Sequence, residues 1–291
     1  MKRALLALFL FITALVFSYL AVEAYATNVI REKVKKRVSK LPVSVIYRGP
    51  DYNLFRNEVT FSDLTLFSED FRFEAQRVSL KLPFTLRRKE LPSFLRLEIE
   101  GAIFKVPALK PLLSNLGIDL SGLPFSLKAE YTIEENRISG VFGLSIYKTG
   151  KLAGSFELFG DKTSLKRFME GRITLDGLLK KLYLKECVVL YKDRGLVKRF
   201  ISYTARQEKT DVEKVKEELI RLVESGMREK PVLLERVGRG LVDFLKTPKC
   251  VRLTVKPEGA VNLLKLKGLL KRRLNVEEVI KLLNLRLESC S

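Results

Sequence analysis

The 291 residues carry 54 Lys and Arg against 34 Asp and Glu, a formal net charge of +20, and no histidine or tryptophan. The missing histidine excludes Ser-His-Asp and Cys-His machinery and any histidine-ligated metal site. A composition 46% hydrophobic and 30% charged suits a folded chain of one elongated domain or two small ones.

Only two glutamines occur, Gln76 and Gln207, and the Lys, Arg and Glu bias resembles the thermophile pattern of ion pairs with few thermolabile amides. A basic surface seeks polyanions such as phospholipid headgroups, lipopolysaccharide or nucleic acid. The plainer reading is a solvated thermophile surface.

Ala4 to Val22 holds no charge and follows Lys2 and Arg3. As a helix it spans roughly 28 Å, close to a bilayer's hydrocarbon core. Ala24-Tyr25-Ala26 fits a signal-peptidase exit, but the apolar core is longer than that of a usual signal peptide, which favours a retained anchor. Residues 1–26 are therefore expected to be a signal anchor or transmembrane helix, with the bulk of the chain exported. Arg31, Lys33, Lys35, Lys36, Arg37 and Lys40 outnumber Lys2 and Arg3, and the positive-inside rule alone would keep that side in the cytoplasm. The same six are the candidates for headgroup contact, on a basic juxtamembrane helix over 27–42 that Leu41-Pro42 ends.

From Val43 the period changes from helical to two. Strands are predicted at 43–48, 54–61, 63–68, 71–76 and 77–82, with a bulge at Gln76-Arg77 where the alternation slips. Leu95, Leu97 and Ile99 make another. Residues 108–124 break the pattern, with Pro111 placed to start a short helix and Gly117 to end it. The clearest strand is Phe125 to Ile133. Turns at Glu135-Asn136 and Thr149-Gly150 make an antiparallel meander with one apolar face of it and the strands around Ile138–Ile146 and Leu152–Leu158. Phe168–Leu175 and Leu182–Tyr191 read as two more strands, the second apolar on both faces.

The texture changes near Asp193-Arg194-Gly195. Thr210-Asp211-Val212-Glu213 reads as a capping box, followed by a stripe of Val212, Val215, Leu219 and Leu222 with Gly226 as C-cap. Pro231 opens a helix that carries Val237, Leu241, Phe244 and Leu245. Cys250–Lys256 is a strand, 259–270 and 276–283 are short helices, and Leu285–Ser289 closes as a strand. The predicted architecture is α+β: an N-terminal transmembrane helix, a curved antiparallel β-sheet with one apolar face over 43–194, and an α+β cap over 195–291.

No CxxC spacing joins Cys187, Cys250 and Cys290, and no cysteine follows the apolar segment as a lipoprotein anchor would require. If strands 250–256 and 285–290 pair antiparallel, Cys250 sits near Cys290 and can form a disulfide, leaving Cys187 a core thiol. Ser145-Ile146-Tyr147-Lys148 and Lys148-Thr149-Gly150 match two penicillin-binding motifs, but they share one lysine, lie at a hairpin end and lack S-D-N. Gly238-Arg239-Gly240 lacks the strand and third glycine of a phosphate loop. Phe71-Arg72-Phe73 only weakly echoes nucleic-acid binding. The carboxylates sit beside Lys or Arg, so ion pairs explain them better than acid/base roles. No enzyme activity, cofactor, metal or nucleic-acid partner is expected.

The anchor followed by VIYRGPDYNLFRNEVTFSDLTLFSEDFRFEAQRVSLKLPF resembles the start of AsmA-like proteins, over roughly residues 1–100. The matching feature is the cadence of strand, EVTFSDLTL hairpin and FEAQRVSLKL. The resemblance implies one inner-membrane helix and a periplasmic run of antiparallel strands; large members are thought to form an apolar groove that conducts phospholipid. This chain is short, and its 195–291 end has no counterpart there.

The expectation is a single-pass inner-membrane protein whose periplasmic sheet contacts phospholipid, for lipid transport or envelope maintenance. Phe125, Leu127, Tyr131, Phe142, Leu144 and Phe156 are the candidate lining, against the alternative that they pack an ordinary core. The other reading is a structural scaffold that recruits an envelope protein partner by strand addition.

Overall fold

Neighbours in sequence pair to build one antiparallel sheet. A computed structural model of the chain describes residues 2–39, 43–83, 92–105, 122–228, 231–271 and 276–290. One helix, α1 (Lys2–Val38), joins the expected anchor and juxtamembrane helices. It leads to β1 (Ser44–Asn53), β2 (Glu58–Phe67), β3 (Arg72–Lys81), β4 (Phe94–Lys105), β5 (Phe125–Glu134), β6 (Arg137–Ile146), β7 (Gly150–Phe159) and β8 (Tyr183–Asp193). β9 (Cys250–Val255), β10 (Val261–Asn262) and β11 (Arg286–Ser289) complete the described strands. The order runs β1 to β9 without a crossover and ends on β11, with β10 beside β8. The short turns that allow this place Asn57, Glu135 and Lys148 in the left-handed region. The helix suggested at Pro111–Gly117 lies outside the described residues, as does Lys40.

The five short strands expected between Val43 and Leu82 are three long ones. What reads as a break is one irregular row shared by neighbours. β2 and β3 pair Ser62 with Arg77 and then Leu64 with Ala75, so the register holds across the row. Asp63 and Gly101 stand in this row with positive φ, and a Cβ on Gly101 would collide with the Gln76 side chain. Because β2, β3 and β4 all slip together, the mismatch appears only at the flanks. Between β4 and β5 the pairs Ile99–Leu127 and Ala102–Phe125 leave two residues opposite one, as a bulge does. β1 shifts twice against β2.

Phe168–Leu175 is not a strand. It spans the end of α2 (Lys162–Met169) and the start of α3 (Leu175–Leu179). The Asp161 carboxylate caps α2, accepting from Ser164 N at 2.6 Å, and Thr174 Oγ1 caps α3, accepting from Gly177 N at 3.2 Å. Two side-chain caps so close together outweigh a weak alternation.

Further helical pieces follow among the described residues: α4 (Leu196–Gln207), α5 (Val212–Met227), the single turn α6 (Pro231–Leu233), α7 (Arg239–Lys246), α8 (Leu263–Lys271) and α9 (Val276–Leu283). A π-helical stretch, Leu234–Gly238, links α6 to α7. The cap residues of α5 differ from expectation. Asp211 makes no side-chain cap bond, and the helix runs through Gly226 to an Arg228 cap. Val215 is buried between α4 and α5 with Ile201 and Ala205, but Leu222 is 71% exposed and leaves the stripe.

The main core lies where α2, α3, α8 and α9 press on the apolar face. Ile133, Ile138, Leu178 and Leu182 form one cluster, and Leu184, Val255, Val261 and Leu283 form the next; Leu158 and Leu263 pack against both. β9 and β11 continue the sheet past residue 194, so the C-terminal part extends the sheet as well as covering it. Cys250 and Cys290 are joined in a disulfide with Cα atoms 5.0 Å apart. Cys187 is a half-buried free thiol whose pKa burial pushes up.

Among the described residues no helix is long and apolar enough to cross a membrane. Side chains of α1 are described from Val16 onward, with Phe17 and Arg37 outside them. The transmembrane reading of Ala4–Val22 therefore stands on the sequence.

Candidate functional site

The apolar face is continuous across the middle of the sheet. Leu127 pairs with Leu144 and Leu144 with Leu152; Ala129 pairs with Phe142 and Phe142 with Gly154; Tyr131 pairs with Gly140 and Gly140 with Phe156. All six candidate lining residues share this face and are half-buried. They divide into two groups. Tyr131 and Phe156 pack against the cluster under α2 and α3 and belong to the core. Phe125, Leu127, Phe142 and Leu144 join none of the buried clusters formed by the described residues.

Glycines set the height of this surface. The Phe156 ring lies over Gly140, and the Phe142 ring over Gly154, where an added Cβ would stand 2.6 Å from the ring and 2.7 Å from Val188 O. The rings can lie down only because their cross-strand partners have no side chain. The result is a level apolar floor. The floor extends to residues not singled out as lining: Phe73 stands 6.4 Å from both Phe104 and Phe125. The alternation of Phe71, Phe73 and Phe104 is visible in the sequence, but their meeting depends on register between β3, β4 and β5.

The opposite face is a lattice of ion pairs. Arg96 Nε donates to Glu130 at 2.5 Å, Lys128 Nζ lies 2.8 Å from Glu98, and Glu157 accepts from both Arg137 and Lys185. Lys185, with Arg137, holds the Glu157 carboxyl below its ordinary 4.5 despite the opposing effect of burial. Lys128 does the same for Glu98, and the Ser164 hydroxyl lowers Asp161. Each of these carboxylates binds its proton more weakly folded than unfolded. Their stabilisation is present above the ordinary carboxylate range and is lost as pH falls from there through the lowered folded values. Melting temperature should be flat between about pH 5 and about pH 7 and drop below about pH 4, and Glu157→Gln should shrink that drop. An acid limb identical to wild type in Glu157→Gln would remove Glu157 from the explanation.

The two motifs weighed and set aside have structural roles. Lys148 occupies the β6–β7 turn with φ 56° and its ammonium lies 5.2 Å from the Tyr147 ring centroid. Thr149 is buried, and the turn is tied to α4: Arg199 donates to Lys148 O at 2.7 Å, and Tyr191 OH lies 3.3 Å from Thr149 O. Tyr191 also donates to Asp193 at 2.8 Å, while Asp193 caps α4 by accepting from Gly195 N and Val197 N. Burial, then the Asp193 carboxylate, push the Tyr191 phenol far above its usual range. Gly240, from the Gly238-Arg239-Gly240 run, is where α7 touches the β11 backbone. No group of three or more metal-ligating side chains exists among the described residues.

The basic cluster after the apolar stretch lies along the last turns of α1. Arg31 lies 4.0 Å from Asp51 of β1, and Lys33, Lys35 and Lys36 are exposed. β1 runs back along α1: Tyr52 N donates to Thr27 Oγ1 at 3.2 Å, and Phe55 stacks on Tyr19 with centroids 4.4 Å apart.

The comparison with family models corrects the AsmA-like resemblance: the model that matches is a different one, placed on residues 144–289, whereas the resemblance rested on the first hundred or so. No curated protein matches the chain. The matching model is described as Uncharacterized protein and covers just over half of the chain, from the end of β6 through β11, and the chain belongs to that family.

Proposed function

We propose that the protein is held at a membrane by α1 and uses the part of its apolar sheet face outside the buried clusters to contact lipid acyl chains, in lipid transport or envelope maintenance. The observation that carries this reading is the level floor of Phe125, Leu127, Phe142 and Leu144. A flat apolar surface of this kind suits an acyl chain, each buried CH2 contributing about 0.8 kcal/mol. The uncharged Ala4–Val22 stretch and the net charge of +20 support a bilayer with anionic headgroups as the neighbour. With α1 as a single-pass inner-membrane anchor, the sheet lies on the periplasmic side, where the Cys250–Cys290 disulfide is stable.

A photoreactive phenylalanine analogue tests this in the full chain in native membranes. At Phe142 it should give phospholipid adducts. At Val141, the next residue on the opposite face and itself exposed, it should give few. Equal labelling at the two positions, or none at Phe142, would make the floor an ordinary packing surface.

A second reading is a scaffold that recruits an envelope protein by strand addition. β1 favours it, since among the described strands β1 pairs only with β2, although α1 packs along it and Thr27 takes the Tyr52 N–H. The register shifts of β1 and Pro50, which has no N–H, blunt it as an edge and rank this reading second.

A further inference from the structure

We infer that the tip of the β1–β2 hairpin, Leu54-Phe55-Arg56, is a second membrane contact, seated at the headgroup–acyl boundary beside the point where α1 leaves the bilayer. The inference rests on the anchored reading of α1 and specifies which part of the sheet meets the lipid. Phe55 is 77% exposed, which is costly for an aromatic side chain facing water, yet its ring stacks on Tyr19. Tyr19 belongs to the uncharged stretch, three residues before its end. Tyr52 on Thr27 and Asp51 near Arg31 fix the same register, so β1 descends along α1 toward the apolar segment.

The tip is also braced. Arg56 N donates to Asn53 Oδ1 at 2.9 Å, Tyr52 OH to Asn57 Oδ1 at 2.5 Å, and Asn57 Nδ2 to Leu82 O at 2.7 Å. These bonds hold Phe55 outward and leave Arg56 exposed beside it. An aromatic ring with an adjacent guanidinium matches the layered chemistry of an anionic bilayer surface, acyl boundary below and phosphate above.

Height along α1 favours the tip over the basic cluster. Arg31 lies about 18 Å further along the helix than Tyr19 at the helical rise, beyond the few ångströms of a headgroup layer. Lys33, Lys35 and Lys36 stand higher still. The hairpin tip therefore stands nearer the acyl boundary than the cluster does.

The absence of tryptophan makes the test direct. Phe55→Trp, Phe11→Trp and Tyr147→Trp each give the full chain a single indole. Tyr147 is the comparison because the β6–β7 turn lies at the opposite end of the strands. Each variant is reconstituted in phosphatidylcholine–phosphatidylglycerol vesicles with brominated acyl chains. Phe11→Trp and Phe55→Trp should lose emission by about twofold or more, while Tyr147→Trp is unchanged. Quenching at Phe11→Trp with Phe55→Trp behaving like Tyr147→Trp would overturn the hairpin contact and leave the anchor standing. No quenching at any position would overturn the anchored reading itself. Phe55 is exposed, so the fold tolerates the change, and Arg56→Trp gives an independent readout one residue on.

Discussion

Gly240→Ala should be among the most damaging single-methyl changes in this chain. A Cβ at Gly240 would fall on the β11 backbone, with Leu287 O closest, Leu287 C at 2.5 Å and Glu288 N at 3.0 Å. The obstacle is main chain held by pairing to β9, so neither a rotamer change nor a small shift relieves it. The expected cost is roughly 3 kcal/mol or more, a fall of several degrees in melting temperature for a chain of this size. Gly226→Ala is the matched comparison. It lies in α5, an added Cβ there meets nothing within 4 Å, and the better helix former should stabilise by about 0.5–1 kcal/mol. Equal effects at the two glycines would refute the direct contact of α7 on β11.

The second large effect falls on the same strand. Cys250 and Cys290 close a loop with a sequence separation of 40, for which chain entropy gives roughly 4 kcal/mol. Cys290→Ser should lower the urea midpoint accordingly, and reductant should bring the wild type down to the level of the variant. Cys187→Ser, at a free thiol, should respond to reductant as wild type does. A wild-type midpoint insensitive to reductant would show that β11 is held without the bond. β11 has four residues and one described strand partner, so its retention depends on α7 behind it and the disulfide at its end.

The meander is legible from its strict alternation and from the turns at Glu135-Asn136 and Thr149-Gly150, whereas the β1–β2 turn at residues 54–57 falls inside what reads as a strand over 54–61. The slip at Gln76-Arg77 was legible too, but its meaning was not. A slip in one sequence reads as a break, whereas three neighbours slipping in the same row keep their pairing. The helix α4 carries Val197, Ile201 and Ala205 four apart, a helical stripe present in the sequence. The eight residues of α2 bury little, so its signal lies in the cap from Asp161 to Ser164 rather than in an apolar pattern.

At the candidate site, alternation put six residues on one face, but not which of them the helices cover. That depends on where α2 and α3 land, and it assigns Tyr131 and Phe156 to the core while Phe125, Leu127, Phe142 and Leu144 stay apart. Gly140 and Gly154 stand at apolar-face positions of their strands. Their role as seats for Phe156 and Phe142 exists only once the strands are in register.

The uncrossed strand order from β1 to β9 has a consequence for how the protein is made. Each strand up to β8 needs only the one before it, so the sheet can grow one hairpin at a time as the chain emerges from its N-terminus. Among the described strands up to β8, none waits with an unmatched slot for a later one to be threaded between neighbours. The late steps are different in kind: β11 must return to β9 across two helices before Cys290 can meet Cys250.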